Sequence, residues 1–131
     1  MVSNRAKMIE RVKHSQVLLR FGRAYYHEKL SCKEIDGSEW YADEYTCASL
    51  YWISPNKVRI KGTVTLPEYR GFGYGSAMLN YLLQVIADTQ RPVMVESYAR
   101  NPKWYLEHGF TVHRTTQWGV TVVRAQINGS N

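Results

Sequence analysis

Residues 57–87 constrain the fold more than any other part of the chain. KVRIKGTVTL alternates apolar and polar side chains and reads as a strand. PEYRGFGYGS follows, with a Pro, an Arg, and glycines at 71, 73 and 75. AMLNYLLQVIAD then places Met78, Leu82, Val85 and Ile86 on one face of a helix that stops before Arg91 and Pro92. RPVMVESYA is a further strand, so residues 57–98 are expected to form a right-handed parallel crossover. A helix starting at Gly73 or Tyr74 leaves its first N–H groups without intrahelical partners, and its dipole favours negative charge there. Glycines let the backbone adopt positive φ and approach a ligand closely. Arg70 adds a forked cation and Ser76 a hydroxyl. The turn is therefore built to hold a phosphate.

Three phosphate-binding patterns compete for it. A Walker loop requires a Lys directly after its last glycine, and none is present. A dinucleotide fingerprint would have a third glycine where Ser76 stands. Glu96 could imitate its ribose-binding acid, but too few residues follow Glu96 for the remaining strands and a substrate domain. The third pattern is Arg or Gln, two residues, Gly, one residue, then Gly or Ala. Arg70, Gly73 and Gly75 satisfy it. In this form LPEYRGFGYGSAML resembles the coenzyme A pyrophosphate loop of the GNAT superfamily of N-acyltransferases.

A second motif agrees with the first. VMVESYARN supplies a strand and Asn101; KWYLEHGF supplies a short helix, Tyr105, Gly109 and Phe110. The resemblance covers residues 45–126 and, more loosely, the N-terminal helix. It implies an α+β fold with a mixed central sheet of six to seven strands, flanking helices, and a V-shaped splay between the two central parallel strands. It implies acetyl-CoA as acyl donor and a primary amine as acceptor. On the same ground Val64, Thr65 and Leu66 would meet the pantetheine arm through their backbone, and Asn101 would hydrogen-bond that arm. Arg70, Gly71, Phe72, Gly73, Tyr74, Gly75 and Ser76 would hold the pyrophosphate. Tyr105 would donate its proton to the departing sulfur as general acid. Asn101 and Tyr105 stand closer than the family usually has them, by about one helical turn, so Tyr98 or Ser97 is an alternative to Asn101.

The rest of the chain fits one domain over residues 1–131. Val17, Leu18, Phe21, Ala24 and Tyr25 mark an amphipathic helix from Ser15 to near Lys29. MIERVK before it reads as a first strand or as an extension of that helix. CKEIDGSEWYADEY reads as a polar loop whose acids and aromatics, Asp43, Glu44, Trp40, Tyr41 and Tyr45, suit a cationic acceptor. YTCASLYWI and KVRIKGTVTL form a hairpin through SPNK. Asn101 and Pro102 start a brief helix that Gly109 ends as a left-handed cap. FTVHRTT and GVTVVRAQI are the last two strands, with Gly119 between them and INGSN as a tail. Glu68, Glu96, Asp43 and Glu44 are the acids near the site, and none is singled out as general base. His108 and His113 are expected to be structural or surface residues.

Two cysteines, Cys32 and Cys47, give neither a disulfide framework nor a metal-ligand spacing, so no metal is expected. With no apolar run of membrane length and no leader-like start, the expectation is a reduced cytoplasmic protein, monomeric or homodimeric. The net charge of +6 is spread along the chain. It leaves open a nucleic-acid acceptor, such as aminoacyl-tRNA or a modified base, and a non-catalytic acyl-CoA-binding module is the further alternative.

Overall fold

The computed structural model describes residues 9–25 and 37–126. The chain runs β1 (Glu10–Val12), α1 (His14–Tyr25), β2 (Ser38–Ala42), β3 (Thr46–Ser54) and β4 (Lys57–Thr65). A 3-10 turn (Pro67–Tyr69), α2 (Tyr74–Ala87), β5 (Val93–Ala99), α3 (Lys103–Leu106), β6 (Thr111–Thr116) and β7 (Gly119–Gln126) complete it. The seven strands form one mixed sheet in the order β1-β2-β3-β4-β5-β7-β6. All neighbours are antiparallel except β4 and β5, which α2 joins as a parallel crossover.

Most elements lie where the sequence puts them, and two differ. Of the two readings open for MIERVK, the strand is the one found, as β1. SEWYA, expected as loop, is β2: Trp40 and Ala42 bury on one face and Tyr41 on the other, although Glu39, Asp43 and Glu44 make the segment look polar. The helix α1 starts as expected but is kinked at Gly22, whose φ is 31°. Its expected continuation to Lys29, the LSCK break, Cys32 and the INGSN tail lie outside the described residues.

Two apolar clusters sandwich the sheet. Val17 and Phe21 of α1 pack on Trp40, Ala42, Cys47 and Val64. Met78, Leu79, Leu82, Leu83 and Ile86 of α2 pack on Tyr41, Leu50, Val58, Ile60 and Val95 on the other face. Val58 and Ile60 thus face α2, whereas Val64 faces α1, although all three sit at even spacing. The pairing explains this. Cys47 opposes Val64 and Ser49 opposes Lys61, so β4 carries one residue more than β3 between those rungs. Gly62, at φ 65°, turns this bulge. The bulge reverses the alternation and aims Thr63 and Thr65 to the α2 side.

The parallel pairing is short. Lys57 opposes Met94, Val58 opposes Val95, and Arg59 opposes Glu96; no further rung joins β4 to β5. Both strands continue beyond it, and they enclose the expected splay. Glu96 closes the last rung with ion pairs to Arg59 and Lys57, the latter at 3.3 Å. Burial pushes the Glu96 carboxyl up, but the Arg59 hydrogen bond and charge, with Lys57 beside it, outweigh burial and hold it below the ordinary carboxylate value.

Candidate active site

The cleft opened by the splay encloses about 540 Å³. Thr63 and Thr65 of β4 form one wall, and Tyr69, Arg70, Gly71 and Gly73 of the loop form its head. Tyr74, Gly75 and Ser76 of α2 and Trp104 and Tyr105 of α3 complete it.

The loop is shaped by local chemistry. Pro67 starts a 3-10 turn in which Tyr69 N donates to Leu66 O at 2.9 Å. Arg70 Nε donates to Thr65 O at 3.1 Å, which ties the guanidinium back to the end of β4. Gly71 and Gly73 hold φ of 85° and 87°, values that L side chains rarely adopt. Gly73 caps α2 without a side chain, and the first helical hydrogen bond runs from Ala77 N to Gly73 O at 3.0 Å. The N–H groups of Tyr74, Gly75 and Ser76 precede that bond and have no intrahelical acceptor. They point a positive dipole end at the cleft, beside Arg70. Tyr45 stacks on Tyr69 with ring centroids 3.9 Å apart and meets Tyr74 at 4.7 Å, so the three rings brace the loop against the start of β3.

At the far end stands Tyr105. Its hydroxyl accepts a hydrogen bond from Ser97 Oγ at 2.9 Å, and Ser97 Oγ also reaches Ile60 O at 3.2 Å. The ring packs edge-on against Phe110 at 5.1 Å and Trp104 at 5.0 Å. Gly109, at φ 86°, lets the chain reverse so that Phe110 N donates to Tyr105 O.

Of the residues expected from the sequence, Thr65, Arg70, Gly71, Gly73, Tyr74, Gly75, Ser76 and Tyr105 line one cleft. Val64 turns its side chain into the α1 cluster and Leu66 packs at its edge, so only their backbone is available to a ligand. Phe72 is 72% exposed at the loop tip and does not line the cleft. Asn101 is exposed and does not line it either: its Oδ1 accepts from Lys103 N at 3.0 Å and starts α3. Ser97, the alternative named beside it, is buried and reaches Tyr105.

Of the four acids, Glu44 and Glu68 are exposed, while Asp43 and Glu96 are committed to structure. Asp43 is buried and accepts from Tyr45 N and Thr46 N at 2.7 and 2.8 Å. Glu96 is held in its ion pairs. Trp40 and Tyr41 are buried, and the cation over the Tyr41 ring is the chain's own Arg11, 5.9 Å from its centroid. Burial and the Glu39 carboxylate push the Tyr41 phenol up to about 12. Among the described residues no group of three or more His, Cys, Asp or Glu could hold a metal ion, and no helix is long and apolar enough to cross a membrane.

Three features of the site escaped the sequence. Trp104 lines the wall beside Gly75. His108 clips α3 to α2: its Nδ1 meets Trp104 O at 2.7 Å and its Nε2 meets Ser76 Oγ at 2.9 Å. Since a carbonyl only accepts, Nδ1 carries a proton in this arrangement. The third is Thr63. Its Oγ1 is the one buried side-chain polar atom among the described residues with no hydrogen-bond partner.

A family model described as the acetyltransferase (GNAT) family matches residues 19–110. No curated protein matches the chain. Solved structures share the architecture at low identity. N-acetylglutamate synthase from Neisseria gonorrhoeae, complexed with coenzyme A and L-arginine, is 15% identical with a TM-score of 0.65 over 91% of this chain. The chain spans only 33% of that enzyme's length. A GNAT family acetyltransferase from Elizabethkingia anophelis with acetyl-CoA bound gives 11% identity and a TM-score of 0.61, covering 88% of this chain and 95% of that one. An acetyltransferase of the same family from Staphylococcus aureus gives 10% and 0.68, covering 90% and 98%.

Proposed function

The chain belongs to the GNAT acetyltransferase family, and from that premise we propose that it transfers an acetyl group from acetyl-CoA to a primary amine by direct attack. The observation that carries the reading is that Arg70, the start of α2 and Tyr105 line one cleft. Structures of the same fold with coenzyme A or acetyl-CoA bound support the choice of donor.

The residues present suit such a ligand. Arg70 and the free N–H groups of Tyr74, Gly75 and Ser76 would hold the pyrophosphate, and Gly71, Gly73 and Gly75 keep Cβ atoms away from it. Ser76 is less free to help than its position suggests, since its hydroxyl is hydrogen-bonded to His108. The edge of β4 beyond Arg59 pairs with no strand on the β5 side, so its backbone groups there suit the amides of the pantetheine arm. When bound, acetyl-CoA supplies a thioester whose carbonyl is open to attack by an amine. Tyr105 would give its proton to the departing sulfur, and Ser97 would then donate to the phenolate oxygen. No carboxylate of the described cleft stands free as a base, and the amine would lose its proton to ordered solvent.

Titration calorimetry with acetyl-CoA tests the reading. Micromolar binding is expected, and a folded sample with no heat at millimolar acetyl-CoA would remove it. Tyr105→Phe is expected to cut turnover far more than affinity for the donor.

A further inference from the structure

From the position of Thr63 we infer that its hydroxyl is a recognition group for an amide of the ligand's pantetheine arm, and so a positioning residue for the acyl donor. The inference rests on the reading of the cleft as an acyl-CoA site. Burying a hydroxyl without a partner destabilises a protein, so native chains satisfy nearly all of them. Thr63 Oγ1 is an exception among the described residues, a buried atom of a residue that lines the cleft. Its neighbour on that wall differs: Thr65 Oγ1 is 3.2 Å from Thr46 Oγ1 and is satisfied within the sheet.

Three observations fix what Thr63 faces. The Gly62 bulge re-aims it from the α1 side to the cleft side, so its orientation depends on a special backbone turn. It lies two residues before Thr65, or roughly 7 Å along the strand, and Thr65 O is where Arg70 is tied. It lies three residues after Ile60, whose carbonyl is at the level of Ser97 and Tyr105. Thr63 is thus set back from the phosphate-holding head and from the reacting foot. The part of an acyl-CoA that spans such an interval is its amide-bearing arm. A hydroxyl both donates and accepts, which suits it to either side of an amide.

Calorimetry with coenzyme A and with ADP, which carries a pyrophosphate without the arm, tests this on wild type, Thr63→Val and Thr63→Ser. Thr63→Val is expected to weaken coenzyme A binding about tenfold, the worth of one hydrogen bond, and to leave ADP unchanged. Thr63→Ser is expected to stay within about twofold of wild type for both ligands. The ligand-free Thr63→Val chain is expected to melt at or above the wild-type temperature, because a dry methyl replaces an unsatisfied hydroxyl. Equal affinity of wild type and Thr63→Val for coenzyme A overturns the inference, as does an equal loss for both ligands. A wild-type chain that binds neither ligand overturns the reading of the cleft itself and the inference with it.

Discussion

Ser97 Oγ lies 2.9 Å from the Tyr105 hydroxyl and 3.2 Å from Ile60 O, so one proton serves two acceptors. With Tyr105 neutral, either arrangement is available; once Tyr105 has given up its proton, donation to the phenolate prevails. Hydrogen bonds to charged groups are worth about 1.5–3 kcal/mol. Ser97→Ala is therefore expected to lower kcat by roughly tenfold to a hundredfold while leaving KM for acetyl-CoA within about twofold. Steady-state kinetics check it, and unchanged turnover would assign Ser97 to packing alone.

Glu96 predicts the acid limb of stability. Its native carboxyl is held below the ordinary value by Arg59 and Lys57. The contribution is complete above the unfolded value of about 4.3 and is lost as pH falls through the lower native one. Thermal melts should thus decline as pH falls below the ordinary carboxylate value. Arg59→Met should cost stability near neutral pH and little at the acid end, since protonated Glu96 no longer uses the guanidinium.

Gly73 and Gly75 are expected to respond oppositely to alanine. A Cβ at Gly73 meets nothing within 4 Å, but its φ of 87° is strained for any L side chain. Gly73→Ala should cost about 1–2 kcal/mol of stability. A Cβ at Gly75 would sit 3.7 Å from Trp104 and 3.8 Å from Thr65 Oγ1, with no positive φ. Gly75→Ala should leave the fold as stable or raise it by about 0.5–1 kcal/mol, yet weaken coenzyme A binding by crowding the free N–H groups. Paired melting and calorimetry separate the two effects.

Gly119 makes room for a neighbouring strand. A Cβ there would stand 2.6 Å from the Tyr98 hydroxyl and 2.9 Å from Ala99 O. Gly119→Ala is expected to destabilise by about 1–3 kcal/mol. Adding Tyr98→Ala should recover only part of the loss, because the backbone oxygen stays. Complete recovery would show that the side chain alone sets the limit.

The sequence is most legible where local chemistry decides structure. Gly71 and Gly73, Arg70 and the change from alternation to helical spacing announce strand, loop and helix before any tertiary contact is known, and Gly109 announces the reversal after Tyr105. Legibility fails where a distant partner decides. SEWYA looks polar because Glu39 is part of it, yet β3 and α1 make it a strand with Trp40 buried. KVRIKGTVT reads as one even alternation, and only its pairing with β3 shows that Gly62 flips Thr63 across the sheet. The Ser76–His108 bond joins residues 32 apart, and neither residue type signals the other.

The three shared rungs of β4 and β5 also decide how the domain can be tuned. A hydrogen-bonded ladder fixes the distance between strands at about 4.8 Å, and past Arg59 and Glu96 no ladder does so. Beyond that waist Ile60 of β4 still packs into the apolar cluster that α2 shares with the sheet. Slimmer or bulkier apolar side chains there would narrow or widen the mouth without altering any group that meets a ligand. The aperture is a core-packing variable, and selection for a larger or smaller acyl group can act on it from beneath.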